Sequence, residues 1–247
     1  PNFGLITNIG TAHIEGFGST DGVKQTKNEL YQFIQSNDGK LFVNNEDKTL
    51  TELSEAINKY TYGNSAANCS GKLLSSTPFV QLEWKNKKIA ANLYGSYNYQ
   101  NILAAICIGN YFDVSSTDIK NAIEEYYPTN NRSQIIESNS NTIFLDAYNA
   151  NPTSMNAAIE TFAENTSTNK LMILGDMLEL GNISKKEHQK IVNKVEALKI
   201  KTLFIGKEFT AIDTPFNFIY LENVNQVIKE LEVLQEDMNY YEDLGNN

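Results

Sequence analysis

The sequence predicts a mixed α/β fold with a mostly parallel sheet, arranged in two consecutive units. Short apolar runs alternate with amphipathic segments along the chain, a pattern typical of strands followed by helices. A polar, turn-prone stretch at Pro128–Asn131 interrupts this order, and the alternation becomes regular after it. The 247 residues, 41% of them hydrophobic, suffice for one large or two modest domains.

The first unit, residues 1–128, begins with an apolar run that ends near Asn8 and Gly10 and therefore predicts a strand leading into a loop. Apolar residues on one side of the next segment predict a helix, and two extended segments joined at Asn86 predict a hairpin. The predicted elements are strand Phe3–Ile9, helix Asp21–Ile34, strand Lys40–Val43, helix Thr49–Ile57, strand Lys59–Tyr62, hairpin strands Phe79–Trp84 and Lys87–Leu93, and helices Tyr97–Phe112 and Thr117–Tyr126.

The second unit, residues 129–247, alternates strands with helices, which favours a parallel sheet covered on both faces. Asp146 and Asp176 each end a predicted strand, where parallel sheets bind ligands. The predicted elements are strand Thr142–Asp146, helix Thr153–Glu164, strand Lys170–Gly175, helix Lys185–Leu198, strands Lys201–Gly206 and Phe216–Leu221, helix Asn225–Leu234, and a loose acidic tail at Gln235–Asn247.

Composition narrows the class of partner. Acidic residues outnumber basic ones, 30 against 20, which argues against nucleic acid or an anionic membrane surface as the main partner. The two cysteines show no metal-binding spacing, and the chain has neither a secretory signal pattern nor a long apolar run. We therefore expect a cytoplasmic protein. Because the chain starts at Pro1 and reads as a strand by Phe3, we also expect it to be part of a longer protein.

A first candidate segment, TNIGTAHIEGFGS at residues 7–19, places His13 and Glu15 in a loop after a strand. A histidine there suits a metal ligand or an acid–base group, although a structural loop histidine is the more common case. Lys27 lies on the helix that follows, and composition alone favours a solvated surface lysine at that position.

A second segment, GSYNYQN at residues 95–101, opens the apolar helix. Asn98 and Asn101 are three residues apart, so both amides project from one helix face. Paired amides could bind a purine edge, because each offers a donor and an acceptor, but helix capping is the more common role of such residues.

A third segment, DAYNANPTSM at residues 146–155, joins a strand to a helix and presents a carboxylate and backbone N–H groups. Its asparagines also suit a tight turn. The segment LGDMLELG at residues 174–181 repeats this strand-end geometry with Asp176 and Glu179.

Taken together and in order, these segments resemble the Mur ligase family of ATP-dependent amide-forming enzymes. The resemblance rests on TNIGTAHIEGFGS with Lys27, GSYNYQNILAA, NNRSQII, DAYNANPTSMNAA and LGDMLELG…EH. It implies that residues 1–128 are the later part of the central ATPase domain and that residues 129–247 are an incomplete Rossmann-like C-terminal domain. The implied substrates are ATP, UDP-N-acetylmuramoyl-tripeptide and D-alanyl-D-alanine. The tripeptide precursor and the dipeptide would be joined during peptidoglycan precursor synthesis, by an enzyme expected to be monomeric.

ATP, Mg²⁺ and a carbamylated lysine are the cofactors that this resemblance implies.

The resemblance also assigns roles to individual residues. His13 and Lys27 are implied as catalytic and metal-site residues, with Lys27 carbamylated so that it supports Mg²⁺, which reverses the expectation from composition. Asn98 and Asn101 match the asparagines that meet adenine. Arg132 and Asp146 match residues that contact the phosphates and ribose of ATP, Arg132 with a catalytic role. The implied dipeptide-binding positions are Tyr148, Asn149 and Asn151.

Two departures from the family pattern affect these expectations. Tyr97 stands where many members have histidine, and no G-x-x-G-K-[ST] phosphate loop occurs in the chain. We therefore expect the 247-residue chain to be inactive by itself. Two alternatives stay open at this point: a truncated, non-catalytic ligase module, and another amino-acid ligase of the superfamily, of the folylpolyglutamate or cyanophycin synthetase type.

Overall fold

A computed structural model describes residues 1–138, 141–212 and 218–233. The chain forms two compact units, Pro1–Asn165 and Thr166–Asn247. The division that composition places at residues 128/129 stays a prediction. The predicted tail at 235–247 lies outside the described residues, as do Phe216 and Leu234 at the ends of two predicted elements.

The first unit contains a parallel sheet of four strands in the order β1-β2-β3-β4. The elements are β1 (Phe3–Leu5), α1 (Ile14–Phe17), α2 (Thr20–Ser36), β2 (Lys40–Asn44), α3 (Lys48–Leu53), β3 (Lys59–Gly63) and β4 (Cys69–Ser70). Strands β1, β2 and β3 and helices α2 and α3 follow the predicted order, although β1 ends at Leu5 rather than Ile9, and neither α1 nor β4 was predicted.

Alternate residues of β2 enter two different apolar clusters, which shows that this strand is buried on both faces. Leu41 and Val43 pack with Tyr31 and Ile34 of α2. Phe42 packs into a second cluster with the helix α4 (Asn98–Tyr111). Period-2 alternation sends neighbouring side chains to opposite faces, so a fully apolar strand requires cover on each side.

An antiparallel sheet, β5-β6-β7, completes the second of these clusters. The hairpin predicted around Asn86 is confirmed, because β6 (Gln81–Trp84) and β7 (Lys87–Ala90) pair antiparallel. Lys85 and Asn86 form its two-residue turn with φ of 47° and 59°, the left-handed conformation that tight hairpins require. The remaining strand is β5 (Lys72–Ser75), which the sequence analysis did not predict.

Three elements end the first unit: the helix α5 (Ser116–Glu124), a hairpin and the helix α6 (Pro152–Ala163). The hairpin pairs β8 (Gln134–Ser138) antiparallel with β9 (Asn141–Leu145). The strand before Asp146 was therefore predicted correctly, but its place in a parallel sheet was not, because it pairs antiparallel with β8, a strand that was not predicted.

The second unit contains the parallel sheet β10-β11-β12, as the strand–helix alternation predicts. The elements are β10 (Leu171–Gly175), α7 (Ser184–Leu198), β11 (Lys201–Ile205), α8 (Lys207–Thr210) and β12 (Ile219–Leu221). Along the chain, α7 lies between β10 and β11, and α8 lies between β11 and β12. Residues 224–233 are also helical. Among the residues described in both units, no helix has the length and hydropathy needed to cross a bilayer.

Candidate functional site

The loop after β1 contacts the start of α6. Thr11 Oγ1 lies 3.3 Å from Thr153 Oγ1, at the start of α6, so the loop contacts a segment far away in the sequence. His13 has a left-handed backbone, with φ of 60°, and precedes α1 with an exposed side chain. The structure therefore brings the His13 loop to the first turn of α6.

Lys27 is a partly buried lysine on α2, rather than the freely solvated one that composition favours. Its Nζ donates a hydrogen bond to the carbonyl oxygen of Asn8 at 3.0 Å. Burial lowers the pKa of Lys27 below its ordinary value of 10.5. A lowered pKa increases the fraction of neutral amine, which is the nucleophilic form of a lysine.

His13 and Lys27 do not by themselves form a magnesium site. Mg²⁺ binds oxygen ligands, carboxylates above all, whereas these side chains offer an imidazole and an amine. Within the described ranges, no group of three or more His, Cys, Asp and Glu side chains is placed to hold a metal ion. The unmodified residues therefore do not fit the ion.

Asn98 and Asn101 lie in the first turn of α4 and contact each other. Asn101 Nδ2 donates to Asn98 Oδ1 at 3.2 Å, and Asn98 Nδ2 donates to the carbonyl of Tyr94 at 2.7 Å. Asn98 is 7% exposed, whereas Asn101 is exposed. The two amides are thus unequal, because Asn98 is held inside the protein and Asn101 is accessible.

Tyr97 connects this helix to the hairpin β8–β9. Its hydroxyl lies 2.7 Å from Ser133 Oγ and donates to Asp146 Oδ2 at 3.0 Å. Asp146 follows β9 directly, and its Oδ1 also accepts from the backbone N–H of Ser133 at 3.4 Å. Burial, together with the nearby Asp146 carboxylate, raises the pKa of Tyr97, so its hydroxyl remains a protonated donor.

Arg132 is exposed beside this network, and its guanidinium carbon lies 3.7 Å from the centre of the Tyr148 ring. This is the geometry of a cation–π contact. Tyr148 is 62% exposed, so the pair lies at the surface. The structure therefore places Tyr148, a predicted dipeptide contact, against the predicted phosphate contact.

A cavity of about 430 Å³ opens next to these side chains. Asn101 and Arg132 contribute its polar groups along with Asn98 and Ser133, and the aliphatic parts of α4 and α5 contribute apolar surface. Its lining residues are Leu93, Asn98, Asn101, Ile102, Ala105, Ala122, Ile123, Tyr126, Pro128, Asn130, Arg132 and Ser133.

Asn151 is the N-cap of α6. Its Oδ1 accepts from the backbone N–H groups of Thr153 and Ser154 at 3.1 and 3.0 Å, and Ser154 Oγ accepts from the Asn151 N–H in return. This reciprocal capping box, with Pro152 at the first helical position, satisfies the N–H groups at the helix start. The carboxamide oxygen of Asn151 therefore has a structural role, while Asn149 is exposed.

In the second unit, Asp176 follows β10 as predicted and accepts from the N–H groups of Glu208 and Phe209 at 3.0 and 3.1 Å. The buried His188 accepts from the Met177 N–H through Nε2 at 3.0 Å. Its Nδ1 therefore carries the proton and donates to the Ser184 carbonyl at 2.9 Å. These bonds hold α7, α8 and the strand end together.

Sequence reasoning left two members of the site without a role, Tyr97 and Ser133. Ser133 lies in the segment NNRSQII, but nothing in the sequence indicates that its hydroxyl group points inward. One signal was available for Tyr97, which lies next to a helix start between Gly95 and two asparagines.

Comparison with known proteins agrees with this architecture. A model of the Mur ligase middle domain matches residues 1–109, and a model of the Mur ligase glutamate ligase domain matches residues 131–238. The chain is 31% identical over 256 residues to the UDP-N-acetylmuramoyl-tripeptide–D-alanyl-D-alanine ligase of Haemophilus influenzae, covering 95% of this chain and 56% of the relative.

Solved structures give the same result. A crystal structure of MurF from Acinetobacter baumannii superposes with a TM-score of 0.80 and 26% identity, covering 96% of this chain and 54% of that chain. MurF ligase from Thermotoga maritima, solved in complex with ADP, has a TM-score of 0.80 and 20% identity over 94% of this chain and 55% of that chain.

The chain spans about half the length of the curated relatives it matches. The two domain models match one after the other and leave only short segments of this chain uncovered. The chain therefore belongs to the Mur ligase family.

Proposed function

We propose that this chain carries the adenine-binding part of an ATP-dependent ligase that joins the carboxylate of a UDP-N-acetylmuramoyl-tripeptide to the amine of D-alanyl-D-alanine. The observation that carries the proposal is the cavity beside α4, where Asn101 and Arg132 lie next to apolar surface. The name shared by the relatives supports the choice of substrates.

The cavity offers the groups that an adenine nucleotide needs. The apolar residues Leu93, Ile102 and Ala105 suit the faces of a purine ring, and the exposed Asn101 amide can pair with its polar edge. Arg132 supplies a permanent positive charge at the same cavity, which suits the phosphates. Asp146 is a carboxylate at a strand end and suits a ribose hydroxyl.

The reaction requires activation of a carboxylate, because a carboxylate does not react unaided with an amine. Transfer of the γ-phosphoryl group of ATP to the tripeptide carboxylate forms an acyl phosphate and ADP. The dipeptide amine then attacks the acyl carbon, an amide bond forms, and inorganic phosphate leaves. Arg132 would offset negative charge on the transferring group.

Lys27 enters the proposal as a modified residue. Its neutral amine and CO₂ would form a carbamate with loss of one proton, which replaces a cation with an anionic pair of oxygens. Oxygen ligands of this kind suit Mg²⁺, whereas the unmodified amine does not. The lowered pKa of Lys27 and the hydrogen bond that holds its amine at the Asn8 carbonyl support this modification. His13 is proposed as its neighbour in the same site.

The proposed dipeptide contacts lie near the start of α6. They are Tyr148, Asn149 and the side-chain amide nitrogen of Asn151. The cytoplasm is the proposed location, since the acidic composition and nucleotide-linked substrates suit it, and a monomer is the proposed state. The family domains are proposed to meet at residues 128/129.

The test measures phosphate release with ATP, the tripeptide precursor and D-alanyl-D-alanine. We expect dipeptide-dependent release by the complete translation product of the gene and none by the 247-residue chain. Release that depends on glutamate instead would identify a different ligase of the superfamily. A complete product that binds ADP but releases no phosphate would identify a non-catalytic module.

A further inference from the structure

Asn98, Ser133, Tyr97 and Asp146 form a continuous chain of hydrogen bonds, named here the Asp146 relay. Asn98 Nδ2 lies 2.9 Å from Ser133 Oγ, and Ser133 Oγ lies 2.7 Å from the Tyr97 hydroxyl. The Tyr97 hydroxyl lies 3.0 Å from Asp146 Oδ2. The relay thus joins the start of α4 to the end of β9.

The carboxylate at one end fixes the direction of every bond. An ionised Asp146 only accepts, so the single proton of Tyr97 points to it. The Tyr97 oxygen then accepts the proton of Ser133, and the Ser133 oxygen accepts from Asn98. Hydrogen bonds arranged in one direction polarise one another, which strengthens the chain.

This direction determines which amide faces the cavity. Asn98 uses its two N–H groups on Ser133 and on the Tyr94 carbonyl, and its oxygen accepts from Asn101. Asn98 therefore acts as a support, and the Asn101 amide is held with one N–H and its oxygen available at the cavity.

The backbone at Ser133 and at Gly95, next to the Tyr97 ring, is adapted to this arrangement. Ser133 is 5% exposed and has a left-handed φ of 51°, a conformation that costs a serine free energy. Gly95 has φ of 95°, and a Cβ atom there would collide with the Tyr97 ring. A side chain at position 95 would displace Tyr97 from the relay.

We propose that Tyr97 and Ser133 are positioning residues of the nucleotide site, through which Asp146 sets the orientation of Asn101. The proposal rests on the proposed function, because it assigns Asn101 to the base. It predicts that binding of the base depends on the hydroxyl group of Tyr97, which does not line the cavity, as well as on Ser133, which does.

The test compares Tyr97→Phe, Ser133→Ala and the double variant, with Tyr127→Phe as a control at a residue that is 68% exposed. Adenosine and ADP are titrated into each 247-residue chain. Each single variant is expected to weaken adenosine binding by about fivefold to tenfold, the effect of one hydrogen bond. The double variant should be no weaker than about tenfold, because either change breaks the same relay. Single variants within twofold of wild type, or a double effect equal to the product of the two, would overturn the proposal.

A second measurement needs no nucleotide. Exchange of the Asn98 side-chain amide protons with solvent, followed by NMR, should be faster in Tyr97→Phe and Ser133→Ala and unchanged in Tyr127→Phe. Unchanged exchange in the first two variants would overturn the relay. Absence of adenosine and ADP binding by wild type, with the exchange result as expected, would contradict the proposed function alone.

Discussion

Thr11 Oγ1 lies 3.3 Å from Thr153 Oγ1 although the residues are 142 positions apart, so one hydroxyl pair joins the His13 loop to the N-terminus of α6. Thr11→Val and Thr153→Val should each lower the free energy of unfolding by about 0.5–1 kcal/mol, because an exposed neutral hydrogen bond contributes little. The double variant should lose no more than the larger single effect. Urea denaturation measures all three, and fully additive losses would show that the hydroxyls do not interact.

Lys27 should form a carbamate with CO₂, whereas an exposed lysine should not. With ¹³C-labelled bicarbonate, the wild-type chain and a Lys48→Gln control should show a carbamate signal by NMR, and Lys27→Gln should not. Because burial lowers the pKa of Lys27, its neutral amine and hence the signal should form at a lower pH than for an ordinary lysine, whose pKa is 10.5. A carbamate signal that persists in Lys27→Gln would contradict the assignment.

Asn151 offers a test of capping against substrate binding. Asn151→Ala should destabilise the chain by about 1 kcal/mol through loss of the cap, whereas Asn151→Asp should retain most of the stability because a carboxylate also caps. Thermal unfolding distinguishes the two variants. Equal stability of the alanine and aspartate variants would mean that the cap contributes nothing.

Ionisation of Tyr62 should lower the free energy of unfolding at alkaline pH. Burial raises its pKa from 10.0 to about 12, so the folded state keeps a proton that the unfolded state releases. This contribution is complete below pH 10.0 and is lost as pH rises through about 12. Unfolding free energy should therefore fall less steeply with pH in Tyr62→Phe than in wild type or in Tyr127→Phe. Identical slopes in all three would contradict the shifted pKa.

The sequence was sufficient for elements with strong local signals. The hairpin at Asn86 and the start of α6 at Pro152 were predictable because a two-residue turn and an N1 proline are local features. Strands β4, β5 and β8 were missed, since a strand of two to five residues in a mixed polar context has no distinctive period.

The residues of the site were predictable from the sequence, but the hydrogen bonds between them were not. The family pattern pointed to Asn98, Asn101, Arg132 and Asp146, and the structure brings all four to one region of the first unit. That Asn98 is a buried support, or that Asn151 caps a helix, depends on contacts that only the fold creates. Tyr97 and Asp146 are 49 residues apart, and no local pattern indicates their hydrogen bond.

We propose that an adenine nucleotide binds in the cavity beside α4. Titration of ADP into the ¹⁵N-labelled chain, with GDP as the competing base, tests it most directly. We expect ADP to shift the amide resonances of Asn101, Arg132 and Ser133, and GDP to do so more weakly. Asn101→Ala should reduce the effect of ADP, whereas Asn182→Ala should not. Shifts confined to other residues, or an Asn101→Ala chain that binds ADP as wild type does, would contradict it.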